Sequence, residues 1–308
     1  MSLYSKLQPK GPSGFGYGST AEDVTAGLSL SGKTFLVTGC NSGLGLETAR
    51  VLAMRGGRII GTARTAQKAS AALAPFGGNT AGIECELSDP KSVRAAVKAV
   101  KATLAGAKID ALICNAGIMA LPANEQKHGV ELQLFTNHIG HFMLVTGILD
   151  DLADAGRVVM VSSRAHLRAP RGGIEFDNLS GARDYAPWKA YGQSKIANIL
   201  FAKELARRLD GTKKTANAIH PGVIFTNLSR HMNPVARVAF RVLGSLMMKN
   251  VGEGAATQCY VAVHPAAANL SGKYWVDSNV AEPRADGTDP ATAAKLWAVT
   301  EEIVACLT

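Results

Sequence analysis

Apolar residues recur along this chain with two different spacings. Short unbroken runs, bounded by glycine or polar residues, predict strands at 34–38, 58–62, 81–87, 110–114, 157–162, 215–219 and 272–276. Between them apolar positions fall at helical spacing over 44–55, a weak Ala-rich stretch before 81, 90–104, 131–149, 188–209, 254–263 and 290–307. Asp89 ahead of Pro90 reads as an N-cap with proline in the first turn. Strand and helix alternate, and the strands carry no polar face. The pattern predicts an α/β fold with a doubly wound, mostly parallel seven-stranded sheet and helices on both faces. Its ligand crevice then lies at the carboxyl ends of the strands. Residues 1–29, Gly/Ser-rich and polar, read as an arm, and 30–308 as a single domain.

Composition narrows the classes. With 47% apolar and 19% charged residues the chain is not disordered. Five irregularly placed cysteines do not make a disulfide scaffold; they fit a reducing, cytoplasmic setting. No uncharged apolar run approaches the ~20 residues a membrane helix needs. The formal charge of +9 asks for an anionic partner. Nucleic acid is disfavoured, because no basic tract exceeds two residues and only 6% of the chain is aromatic.

The charge becomes informative beside the first strand. That strand runs into Thr38-Gly39-Cys40-Asn41-Ser42-Gly43-Leu44-Gly45, a glycine-rich turn opening a helix. Such a turn lets backbone approach a pyrophosphate, and the helix N-terminus favours its charge. A carboxylate about 20 residues on would bind a ribose 2′-hydroxyl. Positions 48–83 contain no Asp or Glu, and Arg64 stands just past the second strand instead. A guanidinium there grips a 2′-phosphate, which argues for NADP rather than NAD. Downstream, Tyr191 and Lys195 sit four apart and share a helical face. A free phenol, with a pKa of about 10, is a poor proton donor or acceptor at neutral pH, and a nearby ammonium lowers that value.

The pieces TGCNSGLG (38–45), CNAG (114–117), Asn137, Ser163, YGQSK (191–195) and HPG (220–222) occur in one order, and with them residues 30–280 resemble the short-chain dehydrogenase/reductase superfamily. TNHIGHF (136–142), SSRAH (162–166), the 28-residue step from Ser163 to Tyr191 and HPGVIFTNL (220–228) are similar to the branch of retinol dehydrogenases, the WW-domain oxidoreductase and protochlorophyllide reductase. The resemblance implies a Rossmann-type NADP(H)-dependent oxidoreductase acting on a small molecule. Tyr191 would be general acid/base, Lys195 would hold the nicotinamide ribose, Ser163 would bond the substrate oxygen, and Asn137 would hold a water in a proton relay. Gly39, Asn41, Ser42, Gly43, Leu44 and Gly45 would line the pyrophosphate and ribose. Asn115, Ala116 and Gly117 would run beside the cofactor, and Pro221, Gly222, Val223 and Thr226 would border the nicotinamide. Glu86, with Leu87, stands where the family has Asp for adenine. Ser163, His166, Leu167 and Trp188 are the substrate candidates, and they point to a bulky apolar carbonyl compound. Reduction of a carbon–carbon double bond and non-catalytic NADP binding are the alternatives.

Other readings weigh less. His138 and His141, three apart on a helix, lack the further ligands of a metal site, so no metal is expected. Ser163 lies in no GxSxG elbow. The segment 231–249 could touch a membrane surface; the resemblance favours a substrate flap near 227–250. The apolar faces of 131–149 and 188–209 pack in the core or form a homo-oligomer contact.

Overall fold

The run Thr34–Thr38 is fully buried and forms β1. In this computed structural model, which describes residues 8–224 and 248–307, β1 is an interior strand of an eight-stranded sheet. The order is β10-β9-β8-β7-β4-β1-β2-β3. Here β2 is Arg58–Ala63, β3 Thr80–Glu84, β4 Ile109–Cys114, β7 Leu152–Val161, β8 Thr215–His220, β9 Tyr274–Val276 and β10 Asn279–Ala281; β5 (Gln126–Lys127) and β6 (Val130–Glu131) make a separate hairpin. Every pairing in the large sheet is parallel except β9 with β10. Within the large sheet that last strand is the one the sequence pattern misses, and the hairpin is missed as well: Asn279–Ala281 and the two-residue β5 and β6 are too short to show a period.

Strand residues alternate between two cores, as a pleat requires. Leu36, Ile60, Leu112 and Val158 face one. Phe35, Val37, Ile59, Ile113 and Val159 face the other. The helices are α1 (Ala21–Val24), α2 (Gly43–Met54), α3 (Ala66–Leu73), α4 (Pro90–Leu104), α5 (Leu132–Leu134), α6 (Gly140–Gly147), α7 (Pro187–Arg208), α8 (Val251–Val263) and α9 (Pro290–Ala305). The first core is closed by α4, α6, α7 and α9, the second by α1, α2, α3 and α8. None of the helices among the described residues is long and apolar enough to cross a membrane. The chain winds from β1 outward to β3, then returns to β4 on the other flank of β1, so the sheet splays open beyond the carboxyl ends of β1 and β4.

Three segments differ from the pattern for physical reasons. The helix expected over 131–149 is α5, a π-helical turn Phe135–Ile139 and α6, followed by the 3₁₀ turn Leu149–Asp151. The strand expected to reach residue 87 stops at Glu84, because Glu86 leaves the ladder and bonds Ser88 and Ser92. Residues 8–29 do not trail: α1, capped by a Thr20–Asp23 capping box, buries Ala21 and Val24, and Phe15 stands edge-on to Tyr260 of α8.

The apolar face of α7 is covered within the chain. Trp297 of α9 stacks on Phe201 with centroids 5.4 Å apart and meets Phe142 of α6 edge-on. The Arg208 guanidinium lies 4.1 Å over the same ring. Removing this side chain empties a volume that rigid helices cannot close. Trp297→Ala should therefore cost about 3–5 kcal/mol in urea unfolding, and a cost below about 1 kcal/mol would show that α9 is not part of the core.

Candidate active site

Thr38 ends β1 and organises the crevice. Its Oγ1 accepts the amide protons of Asn115 and Ala116, each at 2.9 Å. The Asn115 side chain donates back to the Thr38 carbonyl at 2.9 Å. With both lone pairs used, the Thr38 proton goes to His141 Nε2, 2.9 Å away. The imidazole must then carry its proton on Nδ1, which donates to the Asn137 carbonyl at 2.9 Å. Burial holds His141 at about 4, against the partial compensation of that backbone bond, so the ring is neutral at working pH. His138 takes a different partner: Thr300 donates to the Leu296 carbonyl, so Nε2–H of His138 donates to Thr300 Oγ1. Among the described residues no cluster of His, Cys, Asp or Glu is arranged for a metal ion.

Asn137 sits in the π-helical turn, fully buried. Its Oδ1 accepts from the Ile118 amide and its Nδ2 donates to the Ile118 carbonyl and to Ser194 Oγ, all at 2.9 Å. The extra turn thus pins the loop after β4 to α7. On α7, Lys195 Nζ donates to the Val161 carbonyl at 3.0 Å, and Asn198 shares that acceptor at 3.1 Å. Ser162 Oγ donates to the Lys195 carbonyl at 2.7 Å. Lys195 Nζ lies 5.6 Å from the Tyr191 ring, and Ser163 hydrogen-bonds the Tyr191 hydroxyl. The four residues expected to carry the chemistry converge from β7, the π turn and α7.

Their electrostatics differ from the simple expectation. Burial pushes Tyr191 up to about 12, and only the Ser163 hydrogen bond opposes it. Burial also brings Lys195 down to about 8. Desolvation of the pair, rather than stabilisation of a phenolate by the ammonium, dominates.

The dinucleotide side fits its expected group. Ser42 caps α2 without using its side chain, and the first turn of α2 holds no acid. A Cβ on Gly45 would collide with the Gly39 carbonyl and the Asn115 side chain, so only glycine allows this approach. Asn41 and Ser42 are exposed, and Gly43 and Leu44 half-buried, along the same rim. Arg50 pairs with Glu47 and Glu22, Arg55 donates to Thr25 and to the Glu22 carbonyl, and Arg58 to the Thr103 carbonyl. Arg64, exposed at the end of β2, has no such partner among the described residues. Gly117 lies against Asn137 Oδ1 and Lys195 Nζ. Pro221 and Gly222 follow β8, and Val223 is exposed. Thr226 and most of the flap expected near 227–250 lie outside the described residues.

Two further candidates also have partners within the chain. Glu86 Oε1 accepts from the Ser88 amide at 3.1 Å and hydroxyl at 2.9 Å, and this oxygen holds the turn into α4. Leu87 is buried under Gly140. His166, expected at the substrate, is buried: Nδ1 donates to the Ser163 carbonyl at 2.7 Å and Nε2 accepts from the Arg284 amide at 3.2 Å. Both ring nitrogens are engaged, one of them on the Ser163 backbone. Leu167 and Trp188 are 49% and 43% exposed, with Trp188 6.1 Å from the Tyr191 ring and under Arg168.

Thr38, Ser162, Asn198 and Arg284 were not singled out from sequence. Thr38 carried a signal, since it directly precedes Gly39 at the strand end; Arg284, which donates to the Leu167, Ala169 and Pro170 carbonyls, carried none.

The whole chain has known counterparts. Residues 33–236 match the family model described as short chain dehydrogenase. Short-chain dehydrogenase TIC 32 B, chloroplastic, of Brassica napus is 40% identical, over 96% of this chain and 97% of that protein. Retinol dehydrogenase 14 of Mus musculus is 37% identical, over 90% and 87%. A crystal structure of an uncharacterised protein from Mycobacterium Paratuberculosis superposes with a TM-score of 0.74 at 34% identity, covering 94% of this chain and 98% of that one. A short chain dehydrogenase from Burkholderia cenocepacia J2315, solved in complex with NADP, gives 0.62 at 25% identity, covering 80% and 96%.

Buried ionisable groups make stability depend on pH in two windows. His138, His141 and His220 are held at about 3, 4 and 3, below their ordinary 6.5, chiefly by burial. The unfolded chain protonates first, so their stability contribution is full above pH 6.5 and is lost as pH falls toward 4. Urea midpoints should drop steeply from pH 7 to 5; a flat profile would contradict the neutral tautomers. Lys195, depressed from 10.5 to about 8, costs most below pH 8, and that cost fades as pH rises to 10.5. Lys195→Met should raise thermal stability at pH 7 while losing activity, and a lower melting temperature would show that the ammonium is not paying a desolvation cost.

Proposed function

The chain belongs to the short-chain dehydrogenase family, in the branch of the retinol dehydrogenases, and from that premise we propose an NADP(H)-dependent oxidoreductase that exchanges a hydride with a bulky apolar aldehyde or ketone, or its alcohol. The observation that carries the reading is the buried Tyr191 hydroxyl bonded to Ser163 beside Lys195 and Asn137. The dinucleotide, when bound, supplies or takes the hydride at its nicotinamide ring. In the reductive direction Tyr191 is the proton donor. Burial keeps its phenol protonated at neutral pH until charge develops on a neighbouring oxygen. Ser163 hydrogen-bonds that oxygen, and its backbone is held by His166. Lys195, at about 8, is poised to return the proton to Tyr191. Leu167 and Trp188 give the mouth apolar surface.

NADP over NAD rests on Arg64. Among the described residues, Arg64 is the one of the arginines at 50, 55, 58 and 64 without an internal partner, and it stands where a ribose carboxylate would repel a 2′-phosphate. The reading also assigns the protein to the cytoplasm, a reducing setting that suits five free cysteines.

NADPH oxidation against a panel of aldehydes, ketones and enones tests the reaction. Tyr191→Phe should lower kcat by about 10²–10⁴; undiminished turnover would sink the mechanism, and turnover of enones alone would transfer the reading to carbon–carbon double bonds. Arg64→Ala should weaken NADPH binding by about tenfold or more, as loss of a charge-assisted contact does, and leave NADH unchanged. Equal affinities for both, indifferent to the substitution, would overturn the cofactor assignment.

A further inference from the structure

Lys249 is a buried cation outside the machinery described so far. Its side chain is fully enclosed, with Nζ 2.5 Å from Asp277 Oδ1 and 4.7 Å over the Tyr17 ring. Its aliphatic stem lies on the backbone of Gly222, whose φ of +98° and lack of a Cβ make that approach possible. Its amide donates to the Val223 carbonyl at 3.0 Å, and residues 224 and 249 pair as a parallel bridge. Ile224 in turn packs on Gly254 of α8 beside Leu44, a residue of the glycine-rich turn. One lysine thus touches the chain on both sides of the residues following β8.

The carboxylate and the aromatic ring that face the Lys249 ammonium come from opposite ends of the sequence. Asp277 sits in the β9–β10 turn, where it and Ser278 adopt left-handed backbone. Ser278 is tied to α8 through Thr257, and the neighbouring Asn279 bonds the arm, accepting from the Ser13 amide at 2.9 Å and donating to the Phe15 carbonyl at 3.1 Å. Phe15 stands edge-on to Tyr260 and His264, 5.7 Å from each, and those two rings stack on one another. This brings Tyr17 over the ammonium. A buried ammonium needs such enclosure, because an uncompensated charge is expelled toward water.

We propose that the N-terminal arm is a working part of the crevice: Tyr17 and Asp277 clamp Lys249, and Lys249 sets the backbone of residues 221–224. The functional weight of those residues rests on the cofactor reading above; the clamp itself does not. Tyr17 and Asp277 are positioning residues that act through Lys249, and cation–π and ion-pair contacts hold it from two sides.

Amide hydrogen exchange on the full-length chain, without ligand, tests the clamp directly. In Tyr17→Leu, Asp277→Asn and Lys249→Met the peptide covering 248–256 should exchange at least tenfold faster at residue 249. Tyr17→Leu added to Lys249→Met should change it less than twofold. If Lys249→Met does not fold, Asp277→Asn, which keeps the side-chain shape, decides. Unchanged exchange in Tyr17→Leu, or an effect of Tyr17→Leu that persists in full without Lys249, would overturn the proposal. NADPH titration of the same proteins separates the two readings: a several-fold weaker dissociation constant in Tyr17→Leu supports the arm's role at the crevice, and unchanged affinity despite faster exchange would overturn it. A parent protein that binds no nicotinamide dinucleotide, yet protects residue 249 through Tyr17, would sink the cofactor reading while leaving the clamp intact.

Discussion

The Thr38 hydroxyl has two lone pairs and one proton, and all three are engaged where the strand order reverses. The lone pairs hold the amides of Asn115 and Ala116, which fixes the turn after β4 against the end of β1. The proton runs to His141, whose own proton runs to the Asn137 carbonyl. Direction is set at every step by valence, so the loop beside the glycine-rich turn and the π-helical turn of Asn137 are held in one register. Asn137 then reaches Ile118 and Ser194, and through α7 the same network meets Lys195 and Tyr191. Buried polar groups of this kind rigidify a site only when every member is satisfied.

Satisfying polar groups by burial works against ionisation. Burial holds three histidines far below their ordinary range, His138 in the core under α9 and His141 and His220 nearer the crevice, and leaves a lysine at about 8 and a tyrosine at about 12. For the histidines this is stabilising at neutral pH, since they are neutral hydrogen-bonding links. For Lys195 it is a cost that the fold tolerates because the ammonium finds the Val161 carbonyl. Arginine use shows the same economy. Arg50, Arg55 and Arg58 tie α2 and β2 to the arm and to α4, whereas Arg64, just past β2, has no such partner among the described residues.

Much of this was legible along the chain. The apolar runs of β1, β2, β4 and β8 marked strands because both faces are buried, and Asp89 and Pro90 marked the start of α4 by capping chemistry alone. Tyr191 and Lys195 share a helical face by spacing, and the glycines of the turn announced close backbone approach. The internal partners of two candidates were not legible. Glu86 was placed by its position after a strand, but Ser88 and Ser92 compete for its polar atoms across a turn. His166 was placed by its neighbour Ser163, but Arg284, more than a hundred residues away, takes its second nitrogen.

The sequence by itself determined which elements form, in which order, and which residues have the chemistry for a dinucleotide and a proton donor, because these follow from local periodicity, capping and side-chain type. Only the tertiary structure decided which donors meet which acceptors. It turned the 131–149 helix through a π turn at Asn137, covered α7 with Trp297, folded the arm onto α8, and gave Arg64 no partner among the described residues. Partners of a buried polar atom come from anywhere in the chain, and neither spacing nor composition encodes that choice.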